Sequence, residues 1–430
     1  MQSRNTAWRR SGAVMALAVS TVLIATGCAP SGSLSANPTE APAASSTLKV
    51  GVLLPTTGFA AATGASAQQG WDLYWEENGN KVGNVTVETV NEDDASDAGT
   101  ALNKAKLLVT GEHVDVVVGP ILANNSLAVG DYLAQAGVAN LSQTAADDIT
   151  QRKGNDFVLR VGAFAGSQST YPGGEWAHDE GYKTAATLCA DYAFGWENCG
   201  GFTSAFTAAG GTVEAGNQFW YPATATDMST YVSQLLNAKT DVVFVATTGG
   251  NDGVNFIKAG ADFGLFKQVP VLLNCCGADQ SVLKGIGDIA VGIHSVGYFA
   301  EGSDNPNTQE FVKKFEAKYG VLPSTYAAGT YAAAQALAEA IEKAQAKLTG
   351  KDLIAAIRDL SLADSVMGDV SFDDHNNMVG PVFLRKVEKR ADGKLWNVVE
   401  KTFDDVSQFW TFDPEDYMKN PPYSQTFTRQ

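Results

Sequence analysis

Histidine is scarce in this chain of 430 residues: His113, His178, His294 and His375 are the whole complement, and they stand too far apart for a local metal motif. Basic residues are outnumbered, with 30 Lys and Arg against 47 Asp and Glu and a net charge of −17. Removal of residues 1–27, which carry three arginines and no acid, would bring the charge to −20. Such a surface argues against nucleic acid as a partner and against adhesion to anionic lipid through charge. The sequence contains no G-x-x-x-x-G-K phosphate loop and no G-x-S-x-G nucleophile elbow. Gly285-Ile286-Gly287-Asp288-Ile289-Ala290 fits a dinucleotide fingerprint in letters, but it follows a helical stretch where that motif needs a strand. The acidic run 91–94 with Asp97 lacks the spacing of a calcium loop and reads as a strand end followed by a helix cap. After residue 27 no apolar run approaches the roughly 20 residues that span a bilayer.

What is present begins at the N-terminus. Arg4, Arg9 and Arg10 precede an uncharged apolar run over 13–25, which ends in Ala25-Thr26-Gly27-Cys28 before the chain turns polar. That order predicts a secretory signal over 1–27 closing in a bacterial lipobox, with Ala25 where Leu is usual. Cys28 would then carry fatty acyl chains and anchor the protein to a membrane. An ordinary cleaved signal with an incidental cysteine is the alternative. Residues 29–47 are rich in Ala, Pro, Ser and Thr and hold no aromatic residue, so 28–47 is expected to be a flexible tether. As coil it would reach roughly 25 Å.

The 403 residues that remain exceed what one hydrophobic core usually supports, so two lobes are expected. From residue 48 the sequence alternates short β-branched runs with helical stretches, the pattern of parallel sheets with crossover helices. Strands are predicted over 48–54, 84–90, 114–119 and 138–142, with a helix over 97–109. The pattern then restarts with strands over 184–189, 212–219, 241–246 and 269–273 and a helix over 196–209. Helices dominate 307–360, the longest over 325–347, followed by strands over 368–372 and 382–387 and an irregular surface tail over 403–430. The fold class is therefore α/β, two Rossmann-like lobes with a cleft between them. Ligands in open α/β sheets bind outside the carboxyl ends of the strands.

Several short pieces in a fixed order carry a resemblance. They are Gly51-Val52-Leu53-Leu54-Pro55-Thr56-Thr57-Gly58, Val118-Gly119-Pro120, Asp191-Tyr192-Ala193-Phe194-Gly195, Tyr319-Gly320 with Pro323, Gly329-Thr330-Tyr331-Ala332-Ala333, and Phe372-Asp373 leading to Gly380-Pro381-Val382. From residue 48 to about 401 the chain resembles the type I periplasmic solute-binding proteins of ABC importers, in the branch of the leucine/isoleucine/valine-binding protein. The resemblance implies three hinge crossings, near Val161, Tyr298 and His375. Lobe one would comprise 48–161 with 299–375, and lobe two 162–298 with 376–402. It further implies a monomer that closes on a small-molecule ligand, hands it to a permease, catalyses no reaction and uses no cofactor; a ligand sensor of the same fold is the alternative role. Export follows, to the outer face of the cell membrane or the periplasm.

In such proteins an amino-acid ligand has its carboxylate held by hydroxyls and amides of lobe one and its ammonium by an acid of lobe two. Transferred to this sequence, the pattern falls on Thr57 and Phe59, on Asn124 and Asn125 beside Ala123, on Thr144, on Tyr192 and Phe194, on Asn251 and on Tyr326. The acid position falls on Cys276, where an ammonium would lack its partner. Asp252 could substitute, or the ligand could be an aromatic carboxylate or another small organic acid, which Phe59, Tyr192, Phe194 and Tyr326 would suit. Plain core packing remains the alternative for each aromatic. Apart from Cys28 there are four cysteines, an even number that favours disulfides in an exported chain. Cys189 and Cys199 could close the loop that carries Tyr192 and Phe194. Cys275 and Cys276 could form a vicinal disulfide facing the cleft, or cross-pair with the other two.

Overall fold

The structure is a computed structural model, and it describes residues 45–428. The expected signal, Cys28 and nearly all of the tether lie outside these residues. Lobe one is built on six strands: β1 (Ser46–Leu54), β2 (Lys81–Val82), β3 (Val85–Asp93), β4 (Val116–Val118), β5 (Ala139–Ser142) and β6 (Val158–Arg160), in the order β2-β3-β1-β4-β5-β6. All neighbours pair in parallel except β2, which forms an antiparallel hairpin with β3. The period-two alternation of strands sends successive side chains to opposite faces. Val50, Val52 and Leu54 join one core with Trp71 and Trp75, while Leu53 packs on the other face with Leu108 and Val117.

The second sheet holds β7 (Ala185–Ala190), β8 (Gln218–Tyr221), β9 (Val242–Ala246), β10 (Val271–Leu273), β11 (His294–Gly297), β12 (Ser371–Phe372), β13 (Met378–Lys389) and β14 (Leu395–Val406). Its order is β12-β13-β11-β10-β9-β7-β8, with β14 on β13. β7 to β11 are parallel, and the late strands join antiparallel. Leu188, Val243 and Val245 face one core and Cys189, Phe244 and Ala246 the other.

Several expected boundaries move for local reasons. The strand expected over 212–219 shrinks to β8, because Thr212 makes a single bridge to Thr184 and 215–217 form a tight 3₁₀ turn. The helix expected from 196 starts at Ala193, since Gly195 lets the chain turn hard against β7: a Cβ there would lie 1.8 Å from the Ala190 carbonyl oxygen. The helix from Thr325 stops at Ala344, where Gln345 turns left-handed with φ 51°. Ser46 and Thr47, expected in the tether, already pair with β3. The tail is not irregular throughout. Its first residues complete β14, Pro414–Lys419 is a helix, and Phe409, Tyr417 and Tyr423 are buried against Tyr171. Asp97 does cap the next helix, accepting from the Thr100 N–H at 2.7 Å.

Candidate functional site

Because the parallel strands of both sheets end at the cleft, the loops after them face one another. They enclose a small cavity with about 30 Å³ of free space, room for a water or two. Lobe one supplies Ile121, Leu122 and Ala123 after β4, Gln143 and Ala145 after β5, and Tyr326 at the start of helix Thr325–Ala344. Tyr192, Phe194, Thr248, Cys275 and Cys276 come from loops after β7, β9 and β10, with Ser169 and Tyr298 from the first and second crossings. None of these residues carries a charge. A larger cavity of about 690 Å³ opens at the far end of the second sheet, around Val242, Val271 and His294 at the starts of their strands, where no lobe-one residue reaches.

The lining is held from behind. Cys189 and Cys199 form a disulfide that brackets the loop of Tyr192 and Phe194, whose rings stack at 5.9 Å. Asp252 is buried and spent: it accepts from Tyr221 Oη at 2.6 Å, Thr248 N at 2.8 Å and Thr248 Oγ1 at 2.7 Å. Asp279 accepts from Ser281 N and, across the cleft, from Thr325 N at 2.8 Å. Cys276 Sγ lies 3.0 Å from Tyr326 Oη, a second contact between lobes. Deeper in the hinge, the Asp147 N–H of lobe one donates to Glu197 Oε1 of lobe two at 3.0 Å. The lobes are thus closed on each other. Burial pushes the Tyr192, Tyr298 and Tyr326 hydroxyls well above their usual range, so all three remain protonated donors.

Two buried arginines fasten the crossings. Arg160 donates to the Thr144 and Ala146 carbonyls and to Asn377 Oδ1, tying the first crossing to the third. Arg385 donates to Ser295 Oγ, to the Phe299 carbonyl and to the Cys275 carbonyl at 2.8 Å. The first crossing also runs backbone to backbone against helix Thr325–Ala344. Gly162 has φ +73°, and a Cβ on it would lie 1.9 Å from the Gly329 carbonyl oxygen.

Two α/β lobes joined by three crossings, with an uncharged site between them, describe a ligand-closing architecture, and residues 47–394 match the family model of periplasmic binding proteins. The chain belongs to that family. Among relatives of this periplasmic binding protein, a Leu/Ile/Val-binding protein homolog of Brucella melitensis is 29% identical over 366 residues, covering 83% of this chain and 92% of that one. A solute binding protein of an ABC transporter from Rhodopseudomonas palustris BisB5, in complex with 3,4-dihydroxybenzoic acid, superposes with a TM-score of 0.79 at 30% identity, over 84% of this chain and 98% of that one. Another from R. palustris, in complex with 4-hydroxybenzoate, gives 0.78 at 29%, with the same coverage. The resemblance read from the sequence motifs, and the α/β fold with two mostly parallel sheets, are both borne out.

Within the binding protein, the structure brings four of the ten expected ligand residues to the cavity: Tyr192, Phe194, Cys276 and Tyr326. The other six stand outside its lining. Thr57 is exposed, its N–H and Oγ1 donating to Asp93. Phe59 is exposed near the rim, its carbonyl facing Gly250. Asn124 points to solvent and Asn125 is buried beside the Asp94 carboxyl. Thr144 is buried, but its Oγ1 accepts from Ala146 N. Asn251 is an exposed first residue of helix Asn251–Asp262, and Thr248 takes its place. Cys275 and Cys276 are thiols with sulfurs 3.3 Å apart, so neither the vicinal disulfide nor the cross-pairing is formed here. Tyr298, Ser169 and Gln143 had no motif to mark them, although Tyr298 sits where the second crossing was expected. Among the described residues there is no cluster of metal-ligating side chains, and no helix is long and apolar enough to cross a membrane.

Proposed function

We propose that this protein is an exported solute-binding lipoprotein, anchored through Cys28, that captures a small aromatic carboxylate between its lobes and delivers it to an ABC permease. The observation that carries the ligand class is the uncharged, tyrosine-rich lining. An amino acid would bring an ammonium into the cavity, and two acids of the lobe-two loops behind its wall are already engaged, Asp252 by Tyr221 and Thr248 and Asp279 by Ser281 and Thr325. An unpartnered buried ammonium costs several kcal/mol, on the order of a whole ligand affinity.

A carboxylate alone has better options. Helix Ala123–Ala136 starts at the cavity with no side-chain cap, and its first in-helix bond is from Ser126 N, so the preceding N–H groups remain for an anion. Protonated tyrosine hydroxyls add donors, and Tyr192, Phe194, Ile121 and Leu122 suit a flat apolar ring. The benzoate-type ligands in the R. palustris proteins, at 29–30% identity, support the same class. Opening of the lobes must admit the ligand, and ligand contact with both lobes would favour the closed form.

A thermal-shift screen of the protein tests this with benzoate, 4-hydroxybenzoate, 3,4-dihydroxybenzoate, leucine and isoleucine. At 100 times its dissociation constant a ligand should add about 2.7 kcal/mol. For a body of this size that is a rise of a few degrees. Stabilisation by leucine or isoleucine and by no aromatic acid would overturn the ligand class. For the anchor, Cys28→Ala should move the protein out of the membrane fraction of its host.

A further inference from the structure

Two adjacent thiols form part of the cavity wall, and they are not idle. Cys275 and Cys276 are both about 95% buried, and their sulfurs stand 3.3 Å apart. Cys276 Sγ is shared: the same atom lies 3.0 Å from Tyr326 Oη of lobe one. The main chain of the pair is clamped by Arg385 on the Cys275 carbonyl and by Asn274, whose side chain accepts from Thr247 N and Gly277 N. With the backbone fixed, the thiols move by side-chain rotation. The chain already holds one disulfide, Cys189–Cys199, and the family is exported, so its surroundings favour oxidised sulfur.

We propose that Cys275–Cys276 is a redox-modifiable site in the ligand cleft, whose closure to a vicinal disulfide releases the Cys276–Tyr326 contact and loosens the closed state. This regulation rests on the interlobe cavity being the ligand site. In the closed form its hydrogen-bonding contact with the Cys275 thiol, then burial, push the Cys276 thiol up, so it stays protonated and unreactive. The reaction belongs to the open form. There the Cys276 thiolate attacks a low-molecular-weight disulfide such as oxidised glutathione, forming a mixed disulfide and expelling one glutathione thiolate. The Cys275 thiolate then attacks Cys276 Sγ and expels the second. The two cysteines lose two electrons and two protons, and the oxidant leaves as two thiols.

Geometry sets the consequence. A disulfide needs its sulfurs at about 2.05 Å. They must therefore close by more than about 1 Å from their present separation, which draws Cys276 Sγ toward Cys275 and away from the Tyr326 hydroxyl. Neighbouring residues also hold their Cα atoms only about 3.8 Å apart, below the usual disulfide range of roughly 4.4–6.8 Å, so the ring is strained and readily reduced again. The site is thus reversible in a way that a relaxed structural disulfide is not.

The test uses the full chain in reduced and in oxidised glutathione, with alkylation and peptide mapping, small-angle scattering, and 4-hydroxybenzoate titration. In oxidised buffer the peptide holding 275 and 276 should lose two hydrogens, the radius of gyration should rise, and 4-hydroxybenzoate should bind roughly two- to tenfold more weakly. The double variant Cys275→Ser, Cys276→Ser, which can form neither the mixed disulfide nor the ring, should show the same radius and the same affinity in both buffers. Full alkylation of both thiols in the oxidised buffer, or disulfide formation with no change in radius, overturns the proposal. Failure of 4-hydroxybenzoate to bind in both buffers strikes the ligand class instead, and the mapping with the radius still decides the redox site.

Discussion

At the residue scale, the site depends on groups that never touch the cavity. Arg385 is fully buried and feeds three acceptors, and its charge also offsets the buried Glu301. Arg385→Met keeps the volume but leaves the Phe299 and Cys275 carbonyls without donors and Glu301 without a cation. The expected loss is about 3 kcal/mol of stability, since an abandoned buried acceptor or charge costs its full desolvation. Urea denaturation measures it, and an unchanged midpoint would show that water replaces the guanidinium. Such residues were not legible in the sequence. Nothing in the sequence marks Arg160 or Arg385, because burial of a charged side chain is decided by which crossings meet around it. The cavity residues that could be read beforehand, Tyr192, Phe194, Cys276 and Tyr326, are those on which the family's ligand pattern falls when it is laid on the sequence. The hydroxyls and amides expected at Thr57, Asn124, Thr144 and Asn251 are turned to local tasks instead, holding their own loops or facing solvent.

At the element scale, close backbone approach sets the hinge. A Cβ on Gly329 would lie 2.1 Å from the Gly162 carbonyl oxygen, so Gly329→Ala must push helix Thr325–Ala344 off the first crossing. A loss of about 2 kcal/mol is expected. Gly216→Ala, with nothing within 4 Å of its added methyl, should be close to neutral; equal melting shifts for the two would refute the approach as the cause. The tail behaves as a strap across both lobes. Gln408 takes part in a hydrogen bond with Thr150 of lobe one, Arg152 donates to the Asn420 carbonyl, and Tyr423 pairs with Ser204 of lobe two and lies against Gly200. Truncating Tyr423 to Ala should therefore cost about 3 kcal/mol by leaving a cavity under the strap. Differential hydrogen exchange would show whether the opening is confined to 407–428, as a mere surface tail would give, or spreads into helix Ala193–Ala208. The order of strands and helices was legible because hydrophobic period and length distinguish them. The strap was not: its aromatic residues are spaced without period, and only the folded lobes offer the surface that orders them.

At the scale of the whole molecule, closure brings like charges together. Asp147 of lobe one and Glu197 of lobe two are buried against each other, with Arg160 nearby. Burial, then the facing carboxylate, pushes Glu197 well up, and burial raises Asp147 from its ordinary 3.8 to about 6. Burial lifts Glu301 likewise, from 4.5 to about 7. A folded form that holds these protons more tightly than the unfolded chain is stabilised below the unfolded pKa values, near 4, and loses that advantage as pH rises through the folded ones. The lowered carboxylates, such as Asp93, Asp241 and Glu316, act in the opposite direction, but they are ionised in both states by pH 5 and add no slope above it. Between pH 5 and 8 the buried acids therefore decide the sign, and the protein should lose stability across that window, with Asp147, Glu197 and Glu301 as the contributors. Glu197→Gln removes one of the two facing charges while keeping the shape, so its melting temperature should fall less steeply over the same range. Parallel pH profiles for the wild type and the variant would show that this pair does not govern the closed state. A profile that stays flat from pH 5 to 8 would show that both carboxylates are already ionised in the folded protein, offset by Arg160.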